Sequence, residues 1–424
     1  MPVPKVFTTS DPDTFKLKAL LWANSFDHVC YFDSNHYSDP YRAFDTMIAA
    51  GAIKKISRST GNSFHDLDGF LASNEGFIPG YFSYDLKNEL EDLHSSNPDH
   101  LGFPDLYFFI PDNTIFIKGS EVEISSTDPE ATWEGIHNWD VKPQLDSTPV
   151  SIKSRFTKSE YKSTVNELKE HIQRGDIYEI NFCQEFYAEN ADIDPLSIFI
   201  RLNTISPTPF SSFMKMGQRY IISATPERFL SRRGRKLISQ PIKGTYARDS
   251  DKQKDEDQKK NLKTDEKELA ENVMIVDLVR NDLTKSAKPG TVTVEELFGV
   301  YSFKQVHQLI STVVCERAEG LSNPQIIANT FPMGSMTGAP KISAMTLAEQ
   351  YERSKRGVYS GAVGYFAPNG DFDFNVVIRT LLYNAESKYL SFHTGGAITI
   401  DSNPDREYAE CVLKAKAIME VLKQ

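Results

Sequence analysis

The chain has 424 residues, of which 40% are hydrophobic, 11% aromatic and 25% charged, and its formal net charge is −11. This composition is typical of a folded globular protein and excludes a disordered or fibrous one. An acidic balance without a basic cluster argues against nucleic acid and anionic membranes as partners. No segment approaches the ~18 uninterrupted apolar residues of a membrane span, and the N-terminus lacks the apolar stretch of a secretory signal. We therefore expect a cytoplasmic protein.

The four cysteines are scattered along the chain, at positions 30, 183, 315 and 411, without a CxxC pair. That spacing argues against a disulfide framework and against a structural zinc site. Free, buried thiols are the expected state in a reducing compartment.

The length allows two domains or one large layered domain. Residues 1–145 combine short apolar runs with turn signals and are predicted to be mostly strands. The polar stretch Asp140–Ser151 contains two prolines and has the composition of a connection. The boundary is therefore placed near residue 145, and residues 150–424 form the second region.

Helices and strands mix in the second region. Ser159–Gln173 is predicted to be a helix ended by Gly175, and Asp176–Tyr187 a strand. The dense charges of Arg248–Glu268 indicate a solvated loop that runs into a helix, or alternatively a mobile lid over a site. Alternating apolar and polar residues in Asp371–Arg379 predict a half-buried antiparallel strand.

A helix is predicted to close the chain. Asn403 is expected to cap it, and Pro404 occupies the first helical position. Its apolar spacing is supplied by Cys411, Leu413, Ala415, Ile418 and Leu422.

Two helical segments carry glutamates spaced three residues apart, which places each pair on one helix face. Glu268 and Glu271 form the first pair, and Glu407 and Glu410 the second. Taken alone, this spacing is more typical of solvated surface acids. Four carboxylates gathered in a partly buried place would repel one another unless they were protonated or a cation neutralised them. Oxygen ligands without histidine or cysteine would suit magnesium.

Several long motifs, spread over residues 155–424, resemble those of one enzyme family. They are Asp265–Leu283, Pro332–Lys341, Arg356–Tyr365 and Phe392–Ile398. In this order they are similar to the chorismate-utilising enzymes that include anthranilate synthase component I and aminodeoxychorismate synthase component I. The resemblance implies an α+β fold, an α/β sandwich of two large antiparallel sheets with outer helices. It also implies that residues 1–145 contribute strands to that sandwich.

The resemblance further implies that the four glutamates hold Mg²⁺. Glu271 and Glu410 would bind the metal directly, while Glu268 and Glu407 would hold its waters. The metal would then bind the ring carboxylate of chorismate.

The same resemblance assigns the residues that contact the substrate. Tyr359 and Arg379 would hold the enolpyruvyl carboxylate, for which an arginine fork is geometrically suited. Outside this family a strand arginine is more often a surface charge, and glycines are as often plain turns. The ring carboxylate would be contacted by the backbone amides of Gly244, Thr245, Gly395, Gly396 and Ala397.

Lys243 distinguishes two branches of the family. The anthranilate branch typically has alanine at this position, whereas aminodeoxychorismate synthases commonly have lysine in a Pro-Ile-Lys-Gly-Thr motif. The resemblance therefore favours conversion of chorismate and ammonia to 4-amino-4-deoxychorismate, for para-aminobenzoate and folate biosynthesis. In that mechanism the Lys243 amine adds to the ring as the hydroxyl leaves, and ammonia then displaces it. At a reference pKa of ~10.4 a lysine is neutral only about once in 2,500 at pH 7, so we expect burial or positive charge, including bound Mg²⁺, to depress that pKa.

Three further positions complete the expected chemistry. Glu227 matches the family's general acid, and an apolar surround such as Phe229 is expected to keep its carboxyl protonated. His307 matches a histidine near the substrate, although without the family it would be a hydrogen-bonded core histidine. Glu179 departs from the family pattern, which commonly has glutamine here, or a lysine base in isochorismate and salicylate synthases. This departure disfavours addition of water to the ring, and Glu179 could pair with Lys243.

The source of ammonia and two alternative functions remain to be considered. No cysteine lies in the Gly-x-Cys-x-Gly elbow of a glutaminase, so a separate glutamine amidotransferase subunit is the expected partner. One alternative is anthranilate synthase component I, which Lys243 disfavours. The other is a noncatalytic chorismate- or tryptophan-binding regulator, because Tyr31–Asn35 weakly resembles the serine-containing motif of the family's tryptophan pocket.

Overall fold

The computed structural model describes residues 4–59, 61–141 and 149–423. Within these ranges two large antiparallel sheets pack together with helices on their outer faces, which confirms the predicted α+β class. The strands are β1 Lys5–Thr8, β2 His28–Asp33, β3 Thr46–Ala50, β4 Lys54–Arg58, β5 Ile78–Phe82, β6 Leu106–Ile110, β7 Asn113–Lys118, β8 Glu121–Ser125, β9 Lys153–Ser154, β10 Glu179–Ala188, β11 Phe210–Met216, β12 Arg219–Thr225, β13 Arg228–Arg233, β14 Lys236–Gln240, β15 Ile242–Ala247, β16 Thr293–Ser302, β17 Val306–Glu316, β18 Gly338–Ala339, β19 Ala362–Phe366, β20 Phe372–Val376, β21 Thr380–Asn384 and β22 Tyr389–Ile398. The helices are α1 Pro12–Ala23, α2 Ser63–Ala72, α3 Lys87–Leu90, α4 Pro129–His137, α5 Lys158–Arg174, α6 Pro195–Ile205, α7 Lys252–Thr264, α8 Glu266–Thr284, α9 Asn323–Thr330, α10 Lys341–Tyr351 and α11 Pro404–Leu422.

The first sheet has the strand order β1-β8-β7-β3-β2-β11-β12-β21-β22-β10-β18, with β9 paired to β10. The second has the order β15-β17-β14-β13-β20-β19-β5-β6-β4, with β16 paired to β17. Strands from the first 145 residues occupy one end of each sheet, through the pairs β2 with β11 and β5 with β19. The expected boundary falls among residues 142–148, which lie outside the described residues, so the division into two regions stays a prediction.

Two apolar clusters hold the layers together. One fills the space between the sheets, where Phe32 of the first sheet joins Phe82 and Phe108 of the second. The other lies beneath the helices that cover the first sheet, α11 and α5 among them. All four cysteines are buried and free, as expected. No helix in the described part of the chain is both long and apolar enough to cross a bilayer.

Helix ends with local signals lie where the sequence predicts them. Helix α5 ends at Gly175, which adopts a left-handed conformation with φ 86°. Helix α11 begins after Asn403, whose side chain accepts hydrogen bonds from two backbone N–H groups of the first turn. Leu413 is the exception within α11, because it is 58% exposed. The buried face of that helix runs through Cys411, Ala415, Ile418 and Leu422, and this spacing turns position 413 outward.

Two predictions for charged segments are wrong. Most of Arg248–Glu268 is helix α7 rather than loop, since the Asp251 side chain caps it and Asp255 is buried against Arg248. Strand β20 is buried on both faces rather than one. Its polar face is covered because Asp373 forms ion pairs with two arginines of the neighbouring strand, Arg228 and Arg233.

Candidate active site

A cavity of about 740 Å³ opens between the ends of β15, β10 and β22 and the helices α8 and α11. The predicted site residues come from segments far apart in sequence, yet the fold brings nearly all of them to the wall of this cavity. Those that line it are Glu227, Lys243, Gly244, Thr245, Glu268, Glu271, Tyr359, Arg379, Gly395, Gly396, Ala397, Glu407 and Glu410.

Lys243 lies on a bulge of β15. The pairing of β15 with β17 shifts register between Ile242 and Thr245, so the two residues between them leave the regular ladder. Gly244 has φ +93°, and a Cβ there would lie only 3.0 Å from a side-chain carbon of Leu309 and 3.2 Å from Glu268. Glycine at 244 therefore permits the bulge that sets Lys243 at the cavity wall.

The amine of Lys243 is surrounded by carboxylates. Its Nζ donates a 3.1 Å hydrogen bond to Oε1 of Glu179, and the lysine side chain is 11% exposed. Burial favours the neutral amine, but Glu179, Glu271 and Glu227 outweigh it and raise the pKa of Lys243. The expected depression of this pKa is therefore wrong for the protein chain by itself.

Glu227 lies in the turn after β12 and is buried. Ser335 donates a 2.6 Å hydrogen bond to Oε1 of Glu227. Burial raises the pKa of Glu227 to about 7, although Ser335 and Lys243 act in the opposite direction. A carboxyl that keeps its proton near neutral pH can serve as a general acid.

The four glutamates of the predicted metal site face one another across the cavity from α8 and α11. Glu271 and Glu407 are buried, with Oε1 of Glu271 lacking a hydrogen-bond partner. Burial and the Glu271 charge raise the pKa of Glu268 to about 7. The Glu410 side chain is 48% exposed, so it lies at the cavity mouth. These acids repel one another and lack a full set of donors.

The donor set of these helices fits a hard divalent cation. A Cβ added at Gly396 would lie 3.6 Å from an oxygen of both Glu407 and Glu410, which shows how closely the α11 acids approach the glycine strand. Across the described ranges, no three acid, histidine or cysteine side chains converge closely enough to ligate one ion together. Magnesium typically uses one or two carboxylates and keeps several waters, so this looser arrangement suits it.

Two lysines lie among these acids. Lys267 Nζ is 3.5 Å from Glu271 and 3.8 Å from Glu407, and Lys414 Nζ is 2.7 Å from Glu410. Lys414 also donates to the carbonyl of Gly395. The positive charges of Lys267 and Lys414 therefore neutralise part of the negative charge of the four glutamates.

Gly395 of β22 is required by the neighbouring strand. A Cβ at Gly395 would lie 2.1 Å from the carbonyl oxygen of Phe182 in β10. Gly396 and Ala397 follow in the same strand, paired with Phe182 and Asn181. Close backbone approach of this kind leaves amides at the cavity wall, where they can contact an anion.

Arg379 and Tyr359 also line the cavity. Arg379 adopts φ +52°, a sparsely populated conformation for a residue with a side chain, and its Nη1 donates to the carbonyl of Lys414 at 3.0 Å. The Tyr359 ring stacks on His393, with ring centroids 5.0 Å apart. Such local strain is often found where a side chain is aimed at a ligand.

Comparison with known proteins agrees with this arrangement. The profile of the chorismate binding enzyme family matches residues 20–420. The chain belongs to the chorismate-binding enzyme family. It is 33% identical over 362 residues to anthranilate synthase component 1 of Cereibacter sphaeroides, covering 80% of this chain and 72% of that protein. It is 30% identical over 404 residues to aminodeoxychorismate synthase component 1 of Bacillus subtilis, covering 91% and 82%.

A solved structure of the family has the same fold. Anthranilate synthase component I from Streptococcus pneumoniae superimposes with a TM-score of 0.79 at 25% sequence identity, covering 90% of this chain and 93% of that one. Relatives named for two different reactions thus match the chain to a similar degree. The chemistry that distinguishes them has to be sought in the site.

His307 is the predicted site residue that the fold keeps away from the cavity wall. It is buried, and its two ring nitrogens lie 2.8 Å from Ser302 Oγ and 3.0 Å from Asp255 Oδ1. Its neighbours Val306 and Gln308 line the cavity instead. Its catalytic role in this family member stays a prediction.

Four residues of this family site were not singled out from the sequence. Lys414 follows Glu410 by four residues on a helix, a spacing that signals an ion pair. Lys267 precedes Glu271 by four residues on α8, which is the same signal. Nothing local indicates the partner of Ser335. His393 also lines the cavity; burial lowers its pKa to about 4, so its ring is neutral, and its Nδ1 has no hydrogen-bond partner.

Proposed function

We propose that this protein is aminodeoxychorismate synthase component I, which converts chorismate and ammonia to 4-amino-4-deoxychorismate for para-aminobenzoate and folate biosynthesis. The observation that carries the proposal is the Lys243 amine at the wall of the same cavity as Glu227. A nucleophile and a protonated acid in one cavity are what a substitution of the ring hydroxyl through a covalent intermediate requires. The relationship to the Bacillus subtilis enzyme of that name supports this choice.

In this proposal the residues that line the cavity have different roles in the reaction. The Lys243 amine forms a bond to the substrate ring, and Glu227 gives its proton to the departing hydroxyl. Arg379 and Tyr359 hold the enolpyruvyl carboxylate. The amides of β22 and of the β15 bulge contact the ring carboxylate. Because both carboxylates of the substrate are held, its ring is positioned next to the Lys243 amine.

Glu268, Glu271, Glu407 and Glu410 are the residues that would hold Mg²⁺. Support comes from their shared cavity and from Oε1 of Glu271, which accepts no hydrogen bond and has only the Lys267 ion pair at 3.5 Å. Bound Mg²⁺ would supply positive charge that binds the ring carboxylate and relieves the repulsion among the acids.

Ammonia is proposed to come from a separate glutamine amidotransferase subunit. The basis is the missing Gly-x-Cys-x-Gly nucleophile in the sequence. Purified alone, the chain is expected to use ammonium but not glutamine. Turnover with glutamine at the ammonium rate would contradict this part of the proposal.

The direct test is incubation with chorismate, Mg²⁺ and ammonium, with products identified by mass spectrometry. The wild type is expected to release 4-amino-4-deoxychorismate. Lys243→Ala should lose roughly 100-fold or more of kcat, as removal of a nucleophile usually does. Lys118→Ala, an exposed lysine at the end of β7, is the matched control and should keep full activity. Anthranilate and pyruvate as products, or full turnover by Lys243→Ala, would overturn the proposal.

The regulator alternative has less support. Asp33 and Ser34, from the segment that resembles a tryptophan-pocket motif, line a separate cavity of about 40 Å³ beside Arg228. Ligand pockets are typically roughly 300–1,000 Å³. The 740 Å³ cavity with its charged wall is the better site for a small anionic molecule.

A further inference from the structure

Glu179 is the side chain that contacts the Lys243 amine directly. It is the first residue of β10 and is 2% exposed, with its Oε1 3.1 Å from Lys243 Nζ. Its backbone is fixed by pairing with Ala339 of β18, and a Cβ at Gly338 would lie 2.2 Å from its carbonyl oxygen. Because the strand is held firmly at this point, the Glu179 carboxylate keeps a constant position next to the lysine.

Four acids act on the charge of the Lys243 amine. They come from four elements: Glu179 from β10, Glu227 from the turn after β12, Glu271 from α8 and Glu410 from α11. The hydrogen bond to the buried Glu179 favours the protonated form of the amine, and a protonated amine cannot attack a ring carbon. The proposed reaction therefore needs a proton acceptor beside Lys243.

Of these four acids, Glu179 is the one that accepts a hydrogen bond from the amine. Glu227 is held by Ser335 and is assigned to the leaving hydroxyl, while Glu271 and Glu410 belong to the metal-binding cluster. A proton can move from Nζ to Oε1 within the existing hydrogen bond, without a group having to move first.

We propose that Glu179 is the internal base of the reaction, which takes the proton of Lys243 as the amine attacks and holds it until the lysine is released. The proposal rests on the function proposed above and adds a catalytic residue to it. A glutamine at this position could accept the same hydrogen bond but could not take the proton.

The steps balance in atoms and electrons. In the first half, the Nζ proton passes to Glu179 and the nitrogen lone pair forms a bond to the ring. The ring double bond shifts, and the carbon–oxygen bond of the hydroxyl breaks. Its electron pair stays on the oxygen, which takes a proton from Glu227 and leaves as water.

In the second half, the lone pair of ammonia bonds to the carbon that lost the hydroxyl. The double bond shifts back, and the bond to Lys243 breaks with its pair returning to the nitrogen. The surplus proton of the bound ammonia passes to Glu227, and Glu179 returns its proton to Lys243. Both acids are restored, and the net change is replacement of hydroxyl by amine with release of water.

The test compares Glu179→Gln and Glu179→Asp with the wild type, at saturating chorismate, Mg²⁺ and ammonium, from about pH 6 to about pH 9. Glu179→Gln is expected to lower kcat at neutral pH by about 10²–10⁴-fold, the usual contribution of a general base. Because solvent must then remove the proton, the ratio of wild-type to variant kcat should shrink roughly tenfold per pH unit. Glu179→Asp keeps a base and should recover part of the rate.

Two controls separate this role from a structural one. Glu189→Gln, the same change at an exposed acid just after β10, should keep wild-type kcat throughout. Trace acetylation of Lys243, followed by mass spectrometry, should have its pH midpoint lowered in Glu179→Gln, which shows that the two groups are in contact in solution.

The outcomes distinguish the two proposals. A Glu179→Gln variant within threefold of wild type, a rate ratio that does not change with pH, or an unchanged acetylation midpoint would overturn the role of Glu179. If these occur while Lys243→Ala is inactive, the proposed function stands and only the base is wrong. If the wild type makes no 4-amino-4-deoxychorismate, both proposals fall together.

Discussion

Two buried ion pairs meet at β10: Glu179 of one pair belongs to the strand, and Arg356 of the other donates a hydrogen bond to the carbonyl of Asn181. The two pairs are held in very different ways. Arg356 pairs bidentately with Glu352, at 2.6 and 2.9 Å, and also donates to the backbone carbonyls of Met336 and Asn181. Lys243 and Glu179 share one hydrogen bond of 3.1 Å beside the cavity. The first pair has protein partners on every side, and the second faces space for a ligand.

The difference separates a structural ion pair from a reactive one. A buried pair whose donors are all used fixes the backbone around it, here β10 and the segment before α10. A pair that shares one hydrogen bond and has several other carboxylates nearby holds a proton that can be transferred during a reaction. Perturbed acids and bases near a cavity are characteristic of functional sites.

The largest expected effect concerns the structural pair. Glu352→Ala should lower the free energy of unfolding by about 3–5 kcal/mol, because it leaves the Arg356 charge buried and unpaired. Glu319→Ala, at an 86% exposed acid, should cost less than about 0.5 kcal/mol. Chemical denaturation measures both. A cost below about 1 kcal/mol for Glu352→Ala would remove the distinction between the two pairs.

The next effect concerns Glu227 and pH. Burial raises its pKa from 4.5 to about 7 in the folded state, so the folded chain binds more protons than the unfolded chain between these values. Stability from this group is therefore fully present below about pH 4.5 and is lost as pH rises through about 7, by at most about 3 kcal/mol. Glu227→Gln should remove this slope. Denaturation without divalent cations, at about pH 5 and about pH 8, measures it; identical slopes in both proteins would contradict the buried, protonated state.

The third effect concerns Mg²⁺ and the four glutamates of the predicted metal site. If it binds there, it raises the free energy of unfolding by about 2.7 kcal/mol at one hundred times its Kd. Glu271→Gln should abolish most of this gain, whereas Glu266→Gln, an exposed acid on the same helix, should retain it. Thermal unfolding with and without Mg²⁺ gives the answer independently of turnover. Equal gains in both variants would remove the acid cluster as the metal site.

Local signals explain which features could be predicted. The ends of α5 and α11 follow from Gly175 and Asn403, whose effects reach only a few residues along the chain. The fold class and the site wall are predicted from long motifs that resemble those of a known family. Two of these motifs each lie on one element, Asp265–Leu283 on α8 with its cap and Phe392–Ile398 on β22. Only the helix ends depend on neighbours in sequence alone.

The errors arise where distant residues decide the outcome. Helix α7 forms in a charged run because Asp255 is buried against Arg248 and His307. The rise in the pKa of Lys243 has the same origin, since its acids lie on separate elements at Glu179, Glu227 and Glu271. The direction of that pKa shift depends on all the charged groups that surround the lysine in the folded chain. Spacing in the sequence does not show which groups these are.

The smallest expected effect concerns the single hydrogen bond that Ser335 donates to Glu227 in the cavity. Ser335 donates a hydrogen bond to Glu227 that favours its charged form, so Ser335→Ala should raise the pKa of Glu227 further. One such bond contributes about 1 kcal/mol, which corresponds to less than about one pH unit. The alkaline limb of the kcat profile should move upward by that amount, because the acid keeps its proton longer. Thr346→Ala, at an exposed hydroxyl on α10, is the control and should leave the limb in place. A downward movement in Ser335→Ala would mean that the hydroxyl stabilises the neutral acid, and the contrast with the fully bonded Arg356 would then be weaker.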